Sequence, residues 1–230
     1  MYWYLVQFPV EDCANVASPT NPPIEASVVR VRPNRWLLGS LYTCELVVDL
    51  PNDVVVHWEA LGYTYCIRKS PAHRESAIAS GEFHNDLFHH AGTSSAVWKI
   101  GNTFIKVKAW RRNMQLERDT IQFVNSISSI PAPEIVFSWV DIDWNRSFLV
   151  LKALDGHKLK QVWRTLSADK CTQIAKTVAR FCRTLAMSTS DTLKSANGHG
   201  VLEPFLTARV PESVQGPCRS TSSEERDKSP

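Results

Sequence analysis

The chain has 230 residues, of which 43% are hydrophobic, so it is long and apolar enough to build a sizeable core. Its formal net charge of +3 is too small to indicate nucleic-acid binding by itself. The six cysteines form no C-x-x-C pair and no compact framework, which argues against a disulfide-rich secreted domain and favours reduced thiols in the cytosol.

The sequence also argues against export and membrane insertion. The apolar stretch ELVVDLPNDVVVHW is interrupted by Asp49, Pro51 and Asp53, so it is no candidate for a membrane span. A secretory signal has basic residues ahead of its apolar region, and the N-terminal MYWYLVQFPVED has none. We therefore expect a cytoplasmic protein with no membrane partner.

Residues 1–80 are the hardest part to interpret. They have β-type composition with proline and asparagine breaks, and they fit three alternatives: extra strands, a separate small unit, or sequence outside the fold. Arg30, Arg32 and Arg35 alternate loosely before Trp36, which is typical of a strand edge protected from aggregation by charge.

A histidine cluster follows in EFHNDLFHH. His84, His89 and His90 lack the spacing of zinc ligands, so we interpret this stretch as a polar turn leading into a hairpin. The next segment, AGTSS at residues 91–95, is either a phosphate-binding loop or an ordinary connector, because it contains one glycine.

Residues 96–108 predict a hairpin, because two short β-type runs flank the turn signal Gly101-Asn102. Alternation puts Phe104, Lys106 and Lys108 on one face of the second strand. This basic cluster continues through Arg112. Such a cluster is more often a solvated charged face than a binding site.

A helix carrying Glu117 is predicted next. At about 100° per residue, Glu117 falls between Ile121 and Val124, with Leu116, Thr120 and Phe123 on the same broad arc. An inward carboxylate requires a cation or hydrogen-bond donors, and Lys106 is the obvious cation. The alternative is a solvated strand lysine and a glutamate at the helix boundary.

The rest of the chain predicts two strands and one long helix. The prolines of IPAP form a stiff connector, followed by strands at 134–140 and 147–152 and by Gly156, which ends the extended run. Ser167 is a candidate N-cap for a helix that runs to about Met187. The composition of residues 207–230 predicts a disordered tail.

The apolar positions of this last helix need a cover. They have helical spacing between residues 171 and 186, which predicts an exposed apolar face suited to a protein partner or to self-association. The stripe comprises Cys171, Ile174, Ala175, Val178, Phe181, Cys182, Leu185 and Ala186.

From about Gly92 to Leu206 the chain resembles the fungal branch of the aminoglycoside phosphotransferase family, which is choline-kinase-like and protein-kinase-like. The resemblance depends on the order and spacing of FIKVKAW, LERDTIQFV, IPAPEIVFSWVDIDWNRSFLVLKALDGHKL, a W-x-x-L-S at residues 163–167, and GHGVLEPFLT. It implies an α+β fold with a kinase-like small lobe, an antiparallel sheet plus one helix, and only the first helical part of the large lobe. The implied organisation is an N-terminal extension at 1–80, the small lobe at 88–156, a partial helical lobe at 157–206 and the tail at 207–230.

The resemblance also implies residue roles. Lys106 matches the lysine that contacts nucleotide phosphates, and Glu117 matches the helix acid that holds it. Leu151 would sit at the back of the adenine pocket, with Lys152, Ala153 and Leu154 as a hinge whose backbone meets the adenine edge. For the hinge, the alternative is simply the end of a buried strand.

The family's His-x-Asp-Leu-x-x-x-Asn catalytic loop and its later metal-binding aspartate do not occur in residues 207–230. We therefore expect a lobe truncated before the catalytic loop, with no catalytic residues and no magnesium site in this chain. We expect such a lobe to bind ATP weakly, if at all, and not to transfer phosphate. The alternatives are a non-catalytic interaction module and a basic nucleic-acid binder using Lys106, Lys108, Trp110, Arg111 and Arg112, although we expect no nucleic-acid partner.

Overall fold

The computed structural model describes residues 21–70, 86–112, 114–127, 130–189, 191 and 195–198. These residues form a mixed α+β fold with two antiparallel five-stranded sheets and few helices, which confirms the predicted class. The chain divides into two compact units. The first includes the described residues up to Arg111 together with Pro133–Cys171, and the second includes Arg112–Ala132 and the described residues from Thr172 onward.

The first sheet lies in the region that was hardest to interpret from the sequence. Its strands are β1 (Val28–Arg32), β2 (Arg35–Leu38), β3 (Tyr42–Val47), β4 (Val54–Ala60) and β5 (Tyr63–Lys69), in the spatial order β1-β2-β3-β5-β4. A short 3₁₀ helix, Ile24–Ser27, precedes β1. The first of the three alternatives is therefore the correct one for residues 28–69, which form extra strands.

The second sheet contains the predicted hairpin. Its strands are β6 (Leu87–Ala91), β7 (Ser95–Ile100), β8 (Thr103–Ala109), β9 (Ile135–Asp141) and β10 (Arg146–Lys152), in the order β6-β7-β8-β10-β9. The turn between β7 and β8 has φ +58° at Gly101, a conformation that glycine adopts at little cost. The polar turn expected at His89 and His90 is wrong, because both residues lie in β6 and pair with β7.

The helices are α1 (Glu117–Ser126), α2 (Leu159–Val162) and α3 (Ala168–Ala186), with a 3₁₀ turn at Trp163–Thr165. The predicted N-cap of α3 is confirmed, because the Lys170 N–H donates to the Ser167 hydroxyl at 3.4 Å. Among the described helices, none is long and apolar enough to cross a membrane. The tail predicted at residues 207–230 lies outside the described residues.

One hydrophobic core joins the two sheets within the first unit. Every strand contributes at least one side chain to it, and most contribute alternate residues, as expected for two sheets packed face to face. Burying a large apolar side chain contributes about 1.5–3 kcal/mol, so this core is the main stabilising element of the unit. Its fully buried members include Val28, Leu38 and Ile67 from the first sheet and Trp98, Ile105, Phe148 and Val150 from the second.

Two hairpin glycines allow the sheets to approach closely. Gly39, between β2 and β3, would place a Cβ within 2.8 Å of the ring of Phe148 in the second sheet. Gly101, between β7 and β8, would place a Cβ within 2.9 Å of the ring of Tyr65 in the first sheet. Each turn therefore packs against the opposite sheet at a distance that leaves no room for a side chain.

Asp141, at the end of β9, is fully buried and fixes the same junction. Its carboxylate accepts hydrogen bonds from the Ser40 N–H, from the Ser40 hydroxyl at 2.8 Å and from the Trp144 N–H at 3.2 Å. A buried carboxylate is costly unless donors meet it, so these three donors make its position specific. Asp141 therefore links the β2–β3 turn to the turn between β9 and β10.

We expect Gly39→Ala to lower the free energy of unfolding by about 2–4 kcal/mol, because backbone strain at φ +59° adds to an overpacking cost. Gly62→Ala is the matched control, since Gly62 has φ +80° but no atom within 4 Å of its added Cβ. The control should lose about 1–2 kcal/mol. Urea unfolding of both variants measures the difference, and equal losses would contradict the close approach.

Candidate functional site

The second sheet fixes which way Lys106 faces. Thr103, Ile105 and Val107 of β8 are buried, whereas Lys106 is half-buried and lies on the alternate face. The pairing register sets Lys106 between Val97 of β7 and Leu149 of β10. The predicted alternation is therefore confirmed. Because Lys108 shares its face and is also half-buried, the structure does not separate the two lysines by burial.

The predicted hinge residues differ from one another in their environment. Leu151 is buried and lies opposite Phe104 on the Lys106 face. The Ala153 N–H donates to the Asn102 carbonyl at 2.6 Å, so it is already used within the sheet end. Leu154 is 69% exposed. Any contact between the hinge backbone and a base edge would thus have to use groups other than the Ala153 N–H.

Beside Phe104 lies an aromatic and cationic cluster that the sequence did not reveal. The rings of Phe88 and Phe104 have centroids 5.0 Å apart at an interplanar angle of 56°. The ammonium of Lys158 lies 4.2 Å from the centroid of the Phe88 ring. The sequence signal that could have indicated a strand here was the apolar pair Leu87-Phe88. The polar residues on both sides of the pair obscured it.

The segment considered as a phosphate-binding loop is a tight turn between β6 and β7. Gly92 has φ +54°, and no atom lies within 4 Å of a Cβ added there. Both the N–H and the hydroxyl of Ser94 donate to the Ala91 carbonyl, at 3.3 and 2.8 Å. Because both donors of Ser94 are used inside the turn, they are not available to bind a phosphate. The segment therefore has the hydrogen bonding of an ordinary connector.

Glu117 belongs to the second unit, where it is the first residue of α1. It is half-buried, and the helix N-terminus favours its negative charge and that of Asp119. The predicted apolar arc is narrower than expected. Ile121 is the one buried residue of α1, whereas Phe123 is 39% exposed and Thr120 is exposed.

A turn at residues 195–198 contacts the start of α1 within this unit. The Asn197 side-chain amide donates to the Asp119 carboxylate at 3.2 Å, and the Ala196 N–H donates to the Gln115 side chain at 3.4 Å. Ser195 donates to Asn197 at 2.5 Å and is nearly buried. These polar contacts hold the N-terminal turn of the helix that carries Glu117.

The face of α3 that was predicted to need a cover is only partly covered. None of the 19 residues of α3 is buried. Ala175, Cys182 and Ala186 are exposed and fall outside the half-buried stripe, so the stripe is narrower than predicted. The five half-buried apolar residues alternate at spacings of three and four: Cys171, Ile174, Val178, Phe181 and Leu185.

The basic cluster continues after β8 with Trp110, Arg111 and Arg112, and a backbone hydrogen bond fixes the position of Trp110. The Trp110 N–H donates to the Asn145 carbonyl at 2.8 Å, and the Trp110 side chain is half-buried. Arg111 is exposed and belongs to the first unit, and Arg112 is exposed and belongs to the second. Trp110 is therefore not a fully exposed surface on which a base would stack.

A cysteine and a histidine lie opposite each other in the first sheet. Cys66 of β5 pairs with His57 of β4 and, on its other side, with Glu45 of β3. Burial raises the pKa of Cys66, and the Glu45 carboxylate adds to the increase. A nucleophilic cysteine requires a lowered pKa, so this pair does not have the properties of a catalytic site. Within the described residues no group of side chains could hold a metal ion.

Selective alkylation will test this assignment. Burial raises the pKa of Cys44 well above its usual value and also raises that of Cys66, whereas Cys182 is exposed. Because a raised pKa lowers the thiolate fraction at neutral pH and burial restricts access to the sulfur, iodoacetamide should modify Cys182 markedly faster than Cys44 or Cys66. Site-resolved mass spectrometry of the native protein measures the rates. Faster labelling of Cys66 than of Cys182 would indicate an activated thiol.

The comparisons with known proteins give no assignment. No family model, no curated protein and no solved structure matches the chain.

Proposed function

We propose that this chain carries the small lobe of a kinase-like phosphotransferase of the aminoglycoside phosphotransferase type, and that the lobe binds ATP through Lys106. The observation that carries the proposal is the order of elements around that residue. Lys106 lies in the central strand of an antiparallel sheet, and α1 begins with Glu117 after that strand. Two further strands follow, and the second of them, β10, contains Leu151 and ends at Lys152. The sequence resemblance implies this order.

The packing of the sheet supports the choice of face. One face of β8 is buried in the core shared with the first sheet, so a ligand would meet the alternate face with Phe104 and Lys106. Leu151 is buried and pairs with Phe104, so the apolar side chains near Lys106 on this face include Phe104 and, beneath the surface, Leu151. A planar base needs an apolar surface and a phosphate needs a cation, and both are present along one strand.

The expected affinity is low. A lysine about 4 Å from a phosphate oxygen contributes roughly 4 kcal/mol of gross attraction at an effective dielectric constant near 20, before desolvation. Phosphoryl transfer additionally requires metal ions and an acid that positions the nucleophile. No residue of the printed sequence is assigned to either role, so the proposal is limited to nucleotide binding and includes no magnesium.

Thermal unfolding with and without ATP tests the proposal. At one hundred times Kd, ATP adds about 2.7 kcal/mol, which for a chain of this size raises Tm by about 5–10 °C. Lys106→Ala should remove most of this increase, because it removes the phosphate contact. Lys108→Ala is the matched control, since it makes the same charge change on the same face of β8, and it should retain the increase.

Two results would contradict the proposal: no ATP-dependent shift in the unmodified chain, or equal loss in the two lysine variants. EDTA should leave the shift unchanged if magnesium takes no part. Binding to a random oligonucleotide that weakens steeply with salt would instead favour the nucleic-acid alternative, because counterion release produces that dependence.

A second candidate function is suggested by α3. The spacing of Ile174, Val178 and Phe181 is that of a helix that packs against another helix, and no residue of α3 is buried. We propose self-association through this face as the alternative to nucleotide binding. It would make the chain a non-catalytic interaction module.

We expect Val178→Lys to convert a dimer into a monomer, because it puts a charge in the middle of the apolar stripe. Ala179→Lys is the control, since Ala179 is exposed beside the stripe and should leave the dimer intact. Light scattering after size-exclusion chromatography measures the mass. A monomeric unmodified chain at about 100 µM would rule out this second function, because a stable dimer typically has a Kd in the micromolar range or below.

A further inference from the structure

The most informative group outside the predicted residues is the cluster of Phe88, Phe104 and Lys158, which lies entirely in the first unit. Phe88 is 41% exposed although its ring contacts that of Phe104. The ammonium of Lys158 lies 4.2 Å from the Phe88 centroid, well inside the range of about 6 Å for cation–π attraction. An exposed aromatic ring is therefore contacted by a cation from the same chain.

The backbone around Lys158 fixes where its side chain begins. The Lys158 carbonyl accepts hydrogen bonds from the Gln161 N–H at 2.8 Å and the Val162 N–H at 3.4 Å. It follows Gly156, which has φ +142° and provides the change of direction after β10. Backbone hydrogen bonds therefore fix the main chain at Lys158, and its flexible side chain reaches from there to the ring of Phe88.

The position of the cluster relates it to Lys106. Phe104 and Lys106 are two residues apart in β8, so their side chains lie on one face about 7 Å apart along the strand. Lys99 pairs with Phe104 on one side and Leu151 pairs with it on the other. A nucleotide with its phosphates near Lys106 would therefore bring its base to the rings of Phe104 and Phe88.

A base and the Lys158 ammonium would then compete for the ring of Phe88. Stacking of a base on an aromatic side chain is generally stronger than an exposed cation–π contact, so a base can displace the lysine, but with reduced affinity. The lysine side chain has long and flexible methylenes, so it can move without a change in the backbone.

We propose that Lys158 is a gate on the nucleotide-binding face: in the unliganded protein its ammonium covers the ring of Phe88, and it must move away before a nucleobase can stack there. This inference depends on the proposed nucleotide-binding function. It assigns to Lys158 an autoinhibitory contact and to Phe88 the surface on which the base stacks. Neither role was expected from the sequence.

The test measures the affinity of adenosine, which is uncharged, so that loss of a positive charge does not by itself weaken binding. Lys158→Ala should bind adenosine about two to five times more tightly than the unmodified chain, which corresponds to about 0.5–1 kcal/mol. Lys170→Ala is the matched control, because it removes the same charge from an exposed lysine in α3. It should not change the affinity.

A double-mutant cycle separates the gate from a general effect. Phe88→Leu keeps an apolar side chain in β6 but removes the ring, so it should lower adenosine affinity and abolish the gain from Lys158→Ala. Circular dichroism and urea unfolding check that each variant folds. Isothermal titration calorimetry on the 230-residue chain measures binding.

The inference is overturned if Lys158→Ala and Lys170→Ala bind adenosine equally well, or if neither binds it at millimolar concentration. Failure of the proposed function would give a different result. Tripolyphosphate distinguishes the two cases, because it carries the phosphates of ATP but no base. If tripolyphosphate stabilises the chain and Lys106→Ala removes the effect while adenosine binding is unchanged in Lys158→Ala, phosphate binding survives and the gate fails. If tripolyphosphate has no effect, the role of Lys106 fails.

Discussion

The close approach of the two sheets at their hairpin glycines is the constraint on which the first unit depends. Gly39 of the first sheet lies against Phe148 of the second, and Gly101 of the second lies against Tyr65 of the first. The relation is reciprocal, because both sheets have the same strand order and each aromatic residue is the third residue of the strand beside the hairpin strand, Phe148 in β10 and Tyr65 in β5. A side chain at either glycine would separate the sheets and open their shared core.

This duplicated topology also explains the orientation of Lys106. In the first sheet the equivalent position is Glu45, which pairs with Cys66 as Lys106 pairs with Leu149. Glu45 forms ion pairs with Arg35 at 3.0 Å and Arg68 at 3.4 Å. Both positions face away from the shared core. Thus equivalent outward positions of the two sheets carry opposite charges, a carboxylate paired with two arginines in the first sheet and a lysine in the second.

Local patterns predicted the elements well and long-range contacts poorly. The hairpin, the strands around Ser138 and Leu149 and the N-cap Ser167 follow from alternation and turn chemistry, which act over a few residues. Asp141 lies in a polar run that indicated only a connector, because the residue that meets its carboxylate, Ser40, is 101 positions away. The repeated W-x-(Leu or Ile)-Gly at Trp36 and Trp98 was a usable signal for the duplicated sheets.

The candidate site shows the same division. Alternation predicted the face of Lys106, since that is a property of one strand, and the register with β10 then determined that Leu151 lies beside Phe104. The hinge could not be judged from the sequence, because whether the Ala153 N–H is available depends on the Asn102 carbonyl of another strand end. The contact of Lys158 with Phe88 is equally non-local. Under the proposed function, a nucleotide on this face would compete with that contact, so its affinity would depend on Lys158 as well as on Lys106.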